Sequence, residues 1–359
     1  MSNPETYDHT LDAPPAPAVA APVMPLPDEA YYRRAPQRGR NAGLGIALVV
    51  VGLALLAFQM LGRGFPLGSG SYTLVDKQVR GSALELAVEA SNVEVHAWDG
   101  NEIKIVAVQR GGSQGDYEVN VSQRGDTVSV TENRRSSFCF FCSNNITYRI
   151  DVPHSGQANI KTSSGEITVD GLSGPVTLTT FSGNVRGDEL KGGLTVGTTS
   201  GNVELNGIAG ALKVDTISGN VELTDGQVGG AAISSTSGNV ELDGASGQLQ
   251  INTVSGNVTV NDARTSQLNI STSDGNVEFQ GDLGAGASQV STLSGNVQLE
   301  LPEQSSFKLD ASSASGEVSS DFQLAQAESG RNSLKGVAGS GAASLTLNTT
   351  SGEITVEAR

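Results

Sequence analysis

The sequence predicts an all-β chain: a parallel β-solenoid of roughly 18-residue coils with an N-terminal β cap, preceded by one transmembrane helix. Three observations predict it. The first is a repeat. Ser-Gly-Asn-Val stands at Ser182–Val185, Ser200–Val203, Ser218–Val221, Ser237–Val240, Ser255–Val258 and Ser294–Val297, with near-copies beginning at Ser164, Asp274, Ser315 and Ser351. The glycines are Gly165, Gly183, Gly201, Gly219, Gly238, Gly256, Gly275, Gly295, Gly316 and Gly352, at steps of 18, 18, 18, 19, 18, 19, 20, 21 and 36. A short, nearly fixed period is the mark of a chain that coils and stacks on itself.

The second observation is alternation around each glycine. Two residues after it the side chain is always Val or Ile, from Ile167 and Val185 to Val318 and Ile354, and two further on stand Val169, Leu205, Leu223, Leu242, Val260, Phe279, Leu299 and Val356. Upstream, Ile160, Leu178, Val196, Val214, Ile233, Ile251, Ile270 and Val290 lie five residues before, and a Thr or Ser always lies three before. Period-two alternation on both sides of a turn reads as strand, turn, strand with one face inward. The third observation is composition. A chain of 359 residues with 45 glycines and 4% aromatics lacks the large side chains of a thick globular core, whereas a narrow solenoid needs only small β-branched ones.

Eighteen residues are too few for a helical crossover and suit two short strands with two bends, stacked at roughly 4.8 Å. Gly supplies positive φ for the tight corner, and Asn tolerates it. A second, looser corner lies at places such as Asn206–Gly210 and Asp225–Gly230. Stacking would align Asn184, Asn202, Asn220 and Asn239 as an amide ladder, and Thr198, Thr216 and Ser235 as a hydroxyl ladder. An antiparallel array of hairpins is the rival fold. Direct stacking is favoured because it alone explains identical residues at identical steps.

Taken in order, residues 1–41 form a Pro- and Ala-rich tail without periodicity, read as disordered and cytoplasmic; its His9 has no assignable role. Ala42–Leu61 holds no charged residue over 20 positions, enough for a helix to span a bilayer, and the helix is placed at 42–62. Arg33, Arg34, Arg38 and Arg40 precede it closely and only Arg63 follows, so the N-terminus is expected inside and the β domain outside the cell membrane. A cleaved signal peptide is the alternative, disfavoured by the long leading tail and the lack of a small-x-small cleavage site. Residues 63–71 read as a linker, 72–152 as the N-terminal β-rich cap and 153–359 as the repeat domain. Within the cap, Ala83–Glu89, Val93–Ala97, Glu102–Val108, Tyr117–Ser122, Thr127–Thr131 and Ile146–Val152 alternate as strands. The 36-residue step reads as two periods with one degenerate coil, FQLAQAE there as a brief helix or a loop leaning on the last coils, and the last repeat as the far edge, guarded by Glu353, Glu357 and Arg359.

The stretch Glu89–Val108 (EASNVEVHAWDGNEIKIVAV), the segment Ile146–Pro153 (ITYRIDVP) and the SGEI/SGNV repeats that follow resemble a bacterial family of candidate adhesins, β-strand-repeat domains of unknown function on membrane-anchored envelope proteins. The resemblance spans Ser71–Arg359, and the Trp98-Asp99-Gly100 turn is its more specific part. It implies a single-stranded β-helix-like fold, extracytoplasmic display, and roles in adhesion or envelope stress. It brings no active-site motif.

Candidate chemistry is sparse. Cys139 and Cys142, the only cysteines, fit a small structural disulfide loop in an exported domain, with reduced thiols, a redox pair and half a metal site as alternatives. Zinc would need two further ligands, and the nearest histidine is His154. Phe138, Phe140 and Phe141 are either a contact patch for a partner or membrane, or buried against the first coil. Three after the glycine stand Glu204, Glu222, Glu241 and Glu278, with Thr259 interrupting; this reads as a solvated acidic face, with shared cations as the alternative. From Arg63 onward 18 basic residues face 33 acidic ones, which argues against nucleic acid and against acidic polysaccharide substrates. His96 and His154 have no evident Ser or Cys partner for nucleophilic chemistry. The expectation is a non-enzymatic, membrane-anchored module without cofactor, binding an envelope protein or glycan. A stress-sensing role through a partner, and a polysaccharide-active enzyme, are the alternatives.

Overall fold

The computed structural model describes residues 71–111, 115–135 and 145–359, all within the compact unit Gly68–Arg359. The tail, the Ala42–Leu61 helix, and the Cys139, Cys142, Phe138, Phe140 and Phe141 loop lie outside the described residues. Among the described residues the structure is all-β and no helix is present. No helix there is long and apolar enough to cross a membrane.

The strands are β1 (Ser71–Arg80), β2 (Ala83–Val88), β3 (Ser91–Trp98), β4 (Glu102–Arg110), β5 (Tyr117–Arg124), β6 (Thr127–Arg134) and β7 (Asn145–Pro153). Regular coils follow: β8 (Gln157–Ser164) with β9 (Ile167–Asp170), β10 (Val176–Ser182) with β11 (Val185–Asp188), and β12 (Leu194–Ser200) with β13 (Val203–Asn206). Next come β14 (Ala209–Ser218) with β15 (Val221–Thr224), β16 (Gln227–Ser237) with β17 (Val240–Asp243), and β18 (Ser246–Ser255) running into the long β19 (Val258–Ser271). The chain closes with β20 (Val277–Leu283), β21 (Ala287–Ser294), β22 (Val297–Leu301), β23 (Phe307–Ser313), β24 (Val318–Ser320), β25 (Ala325–Ser329), β26 (Ser333–Ala338), β27 (Ala343–Ser351) and β28 (Ile354–Ala358).

Equivalent strands of successive coils pair in parallel and residue for residue. Val196 lies between Leu178 and Val214, and Leu205 between Gly187 and Leu223. The expected stacking holds, and the hairpin-array alternative fails for the regular coils. The alternating positions fill the interior: Val203, Leu205, Leu212, Val214, Val221 and Leu223 are all at most 3% exposed. Each such side chain contributes roughly 1.5–3 kcal/mol on burial. A third wall comes from the residue after the second corner, where Leu172, Leu190, Ile208, Ala245 and Ala263 are buried.

The two corners exchange the roles the sequence suggested. Left-handed backbone recurs at the second corner, six residues after the glycine: Gly171 (φ 75°), Glu189 (φ 49°), Gly207 (φ 62°), Asp225 (φ 50°), Gly244 (φ 80°) and Asp262 (φ 48°). At the Ser-Gly-Asn corner only Gly165, Gly219, Gly238 and Gly256 keep φ between 142° and 152°, and the other repeat glycines are not among the positive-φ residues. Glycine is required there by contact. A Cβ on Gly183, Gly201, Gly219, Gly238, Gly256, Gly275 or Gly295 would overlap the carbonyl oxygen of the glycine one coil below. The same glycines donate their N–H upward, as in Gly201 to Ser218 O (3.1 Å) and Gly219 to Ser237 O (3.1 Å).

Both ends depart from sequence order. The coil β2–β3 lies between β6–β7 and β8–β9, pairing in parallel with each, so coils begin inside the segment read as the cap. Antiparallel β4 then lies on β7, β1 on β4, and β5 on β6. At the other end β27–β28 lies between β21–β22 and β23–β24. Gly352 therefore stacks on Gly295, and Gly316 on Gly352. This corrects the degenerate-coil reading of the 36-residue step: the final repeat is threaded into the stack, one place in from the end. It is no edge, and Arg359 N–H donates to Leu301 O (2.9 Å). The FQLAQAE segment is not a brief helix; its first residues form the alternative, a loop leaning on the last coils. It enters β25, which forms an antiparallel hairpin with β26, while Phe322 meets Phe307 edge-on at 5.0 Å.

Gly201→Ala is expected to destabilise its coil by roughly 1–3 kcal/mol, because backbone must move to admit the methyl. Gly197→Ala is expected to stay within about 0.5 kcal/mol, since no atom lies within 4 Å of its built Cβ. Thermal denaturation with site-resolved hydrogen exchange checks both; equal effects would remove the stacking explanation.

Candidate functional site

Most repeat positions carry the same kind of side chain in successive coils, so the surface consists of rows. Along the Ser-Gly-Asn corner the Asn ladder forms, with a different bond from side-chain stacking. Each Asn Oδ1 accepts the backbone N–H of the equivalent residue one coil up: Asn184 from Asn202 (3.1 Å), Asn202 from Asn220 (3.1 Å), Asn220 from Asn239 (3.0 Å), and so on through Asn296, which accepts from Glu353 (2.9 Å). At the other end Asn92 accepts from Glu166 (3.1 Å). A bond of this kind contributes on the order of 1 kcal/mol.

The hydroxyl row is buried and in register, with Thr198 and Thr216 each 6% exposed. Its hydroxyls do not bond one another. Thr292 donates to Gly275 O (3.2 Å) and Thr349 to Gly295 O (3.1 Å), whereas Thr180, Thr198, Thr216, Ser235, Thr253 and Thr272 have no protein partner. Their methyl or methylene groups line the interior next to the corner.

The outer face of the second-strand ladder carries the acidic row. Glu204, Glu222 and Glu241 stack directly, Thr259 follows, then Glu278. Arg186 heads the row, with its guanidinium bonded to Glu166 and to Glu204 (2.8 Å). These bonds, that to Glu204 first and then the two negative charges, raise its pKa further. Glu222, Glu241 and Glu278 are exposed. Among the described residues no group of three or more His, Cys, Asp or Glu side chains is arranged to hold a metal ion. The opposite face bears a shallow groove of about 580 Å³, floored by Gly193, Ala211 and Gly230 and edged by Thr195, Lys213 and Gln250.

His96 and His154 each face a carboxylate. His96 Nδ1 faces Asp170 Oδ2 at 3.6 Å, and His154 Nε2 faces Asp99 Oδ1 at 3.4 Å, all at the surface. The Trp98-Asp99-Gly100 turn is a packing unit: Trp98 Nε1 donates to Glu102 O (2.9 Å), Lys104 Nζ sits 3.5 Å from the ring centre, and a Cβ at Gly100 would overlap the indole. At the other end of β3 the outermost coil is tied to the next by a buried polar triad. Tyr148 Oη (2.9 Å) and Ser91 Oγ (2.8 Å) both donate to Glu132 Oε2. Burial first, and then the Glu132 charge and hydrogen bond, push the Tyr148 phenol far above its usual pKa.

One row was missed by the sequence reading. Phe181, Ile217, Val254 and Leu293 are 51–65% exposed and share one repeat position, two before the glycine. The signal was present in the sequence, since that position alternates Phe181, Thr199, Ile217, Thr236, Val254, Ser273, Leu293.

The stacked glycine corner and its Asn ladder are the geometry of a repeat family, and the profile of the Toastrack DUF4097 family matches residues 82–357. The chain belongs to this family. The match covers both out-of-order ends of the Toastrack domain as well as its regular coils. No curated protein matches the chain significantly. Among solved structures, a candidate cell adhesion protein from Clostridium sporogenes is 13% identical, over 79% of this chain and 100% of its own, with a TM-score of 0.19. A candidate adhesin from Bacteroides fragilis is 8% identical over 81% and 98%, with a TM-score of 0.28. A candidate lipid-binding protein from Parabacteroides distasonis is 11% identical over 80% and 97%, with a TM-score of 0.33.

The raised Tyr148 pKa fixes the sign of a pH dependence. An unfolded tyrosine ionises near about pH 10. Below that value both states keep the proton, and this stabilisation is fully present. Above it the unfolded chain releases a proton that the folded chain retains, so stability is expected to fall by about 1.4 kcal/mol per pH unit. Tyr148→Phe should flatten that fall while lowering stability at neutral pH by roughly 1.5–3 kcal/mol through loss of a hydrogen bond to a carboxylate. Denaturant titrations from neutral to alkaline pH check both parts.

Proposed function

We propose that this protein is a membrane-anchored, non-catalytic display protein whose Toastrack domain serves as an adhesin-like module for contact with an envelope protein or glycan. The observation that carries the reading is the set of register-locked rows on the outer faces. The Glu204, Glu222 and Glu241 row and the Asn184-to-Asn296 row repeat one functional group at every coil. Such a face offers many similar, individually weak contacts to an extended or repetitive partner. It suits adhesion better than it suits a reaction needing a few convergent groups. The acidic balance of 33 to 18 from Arg63 onward favours neutral or basic partners over nucleic acid and acidic polymers.

The anchor in this reading is Ala42–Leu61, with the four arginines before it on the cytoplasmic side and the β domain outside. In intact cells, external protease or antibody is expected to reach epitopes within 72–359 and not those within 1–41. A β domain reached only after cell lysis would overturn the display reading. The full chain screened against arrays of envelope proteins and glycans is expected to retain neutral or basic ligands, and retention only of anionic polymers would count against it.

A further inference from the structure

Phe181, Ile217, Val254 and Leu293 are the large apolar side chains left exposed among the described residues, and they fall in every second coil. Thr199, Thr236 and Ser273 fill the coils between. The register is continuous. Thr180 and Ser182 lie on Thr198 and Ser200, those on Thr216 and Ser218, Ser218 on Ser237, Ser237 on Ser255, and Ser255 on Asp274 and then Ser294. Successive apolar side chains are therefore two strand spacings apart, roughly 9.6 Å. The interior does not ask for this, because the buried residue three before the glycine is Thr or Ser in every coil. Large side chains one coil apart would shelter each other, as cross-strand neighbours do. Set two coils apart, each stands alone in water.

We infer that this row is a self-association surface, onto which a second copy of this chain packs antiparallel with a one-coil offset. A two-fold axis between the Ile217 and Thr236 coils puts Ile217 against the partner's Thr236 and Val254 against the partner's Thr199. It also puts Phe181 against the partner's Ser273 and Leu293 against the partner's Ser163. Each apolar side chain then fills a small-residue gap, and the merged row carries an apolar group at every coil, as in a dry interdigitated zipper. A surface with this knob-and-gap period must meet one with the same period, and a second copy carries it by construction.

Charge points the same way. The chain has a net charge of −16, so copies repel unless the centre of the contact excludes carboxylates. From Phe181 to Asn257 the corner residues read FSGN, TSGN, ISGN, TSGN and VSGN, without a charge, and the corner carboxylates Glu166 and Asp274 stand only towards the two ends of the contact. The four apolar side chains expose on the order of 400 Å² per copy. With the flanking Ser and Thr rows a paired contact reaches about 1,000 Å², at the foot of the range for specific interfaces. The association is therefore weak and concentration-dependent.

Sedimentation equilibrium of the full chain in density-matched detergent tests this, with circular dichroism confirming that each variant keeps its strands. The native chain should show a monomer–dimer equilibrium. Ile217→Glu with Val254→Glu should raise the dissociation constant at least about tenfold by placing carboxylates in an apolar contact. Thr236→Ile is the deciding variant, because it fills a gap: interdigitation predicts weaker association, whereas an unspecific apolar surface predicts stronger. A chain that is monomeric throughout, association untouched by the Glu pair, or association strengthened by Thr236→Ile would each overturn the inference.

Discussion

The structure rests on one close approach: the carbonyl oxygen of each corner glycine occupies the place where the next coil's glycine would carry a Cβ. Strands one hydrogen bond apart cannot separate to relieve that overlap without breaking the ladders on both sides. The absence of a side chain therefore sets the pitch of the stack at its tightest point. The glycine N–H bonds to the coil above, and the neighbouring Asn Oδ1 accepts a second N–H at the same level. The corner is thus held by backbone and near-backbone groups and takes little from the core. The interior can then be narrow and built of Val, Leu and Ile, which is why so long a domain manages with so few aromatic residues.

The other corner solves a different problem. It needs left-handed backbone, and Gly171, Gly207 and Gly244 supply it without strain, while Glu189, Asp225 and Asp262 adopt it as non-glycine residues. Backbone crowding is less uniform there: a Cβ on Gly207 would meet nothing closer than 3.6 Å, whereas one on Gly244 would overlap Gly226 O, so sequence varies and the coil length drifts between 18 and 21 residues. The two bends of one coil thus read differently in sequence because one is limited by contact and the other by φ.

The rows were legible in the sequence because stacking copies a residue's environment from coil to coil. Val203, Val221 and Val240 look alike because they sit alike. The order of the coils was not legible, for the same reason. Every coil presents the same corner to its neighbour, so Gly352 fits on Gly295 as well as Gly316 would. The antiparallel strands beyond reveal the threading, since β26 takes one side of β23 and leaves the other side of β23 to β27. The Phe181 row was hidden because alignment on Ser-Gly-Asn-Val draws the eye to positions that do not vary. Its information lies in a position that varies regularly, between Phe181, Thr199 and Ile217. Arg186 was likewise readable only in three dimensions, as the cation that heads a carboxylate row and meets Glu166 from the coil below.

Both ends of the stack show what an open parallel ladder requires. A terminal coil exposes a full row of unpaired N–H and C=O groups to any strand that can match it. Here the first and last coils in sequence are each covered by a later or earlier excursion of the same chain, and the excursion ends in antiparallel strands or in the three-residue β24. The outermost β25 is exposed along its length and carries Glu328, with a kink at Gln326 (φ 54°). A charged, bent edge is a poor template for a further strand. On the flanks the fold imposes an 18-residue period on everything inside. Only a demand from outside can superimpose a longer one.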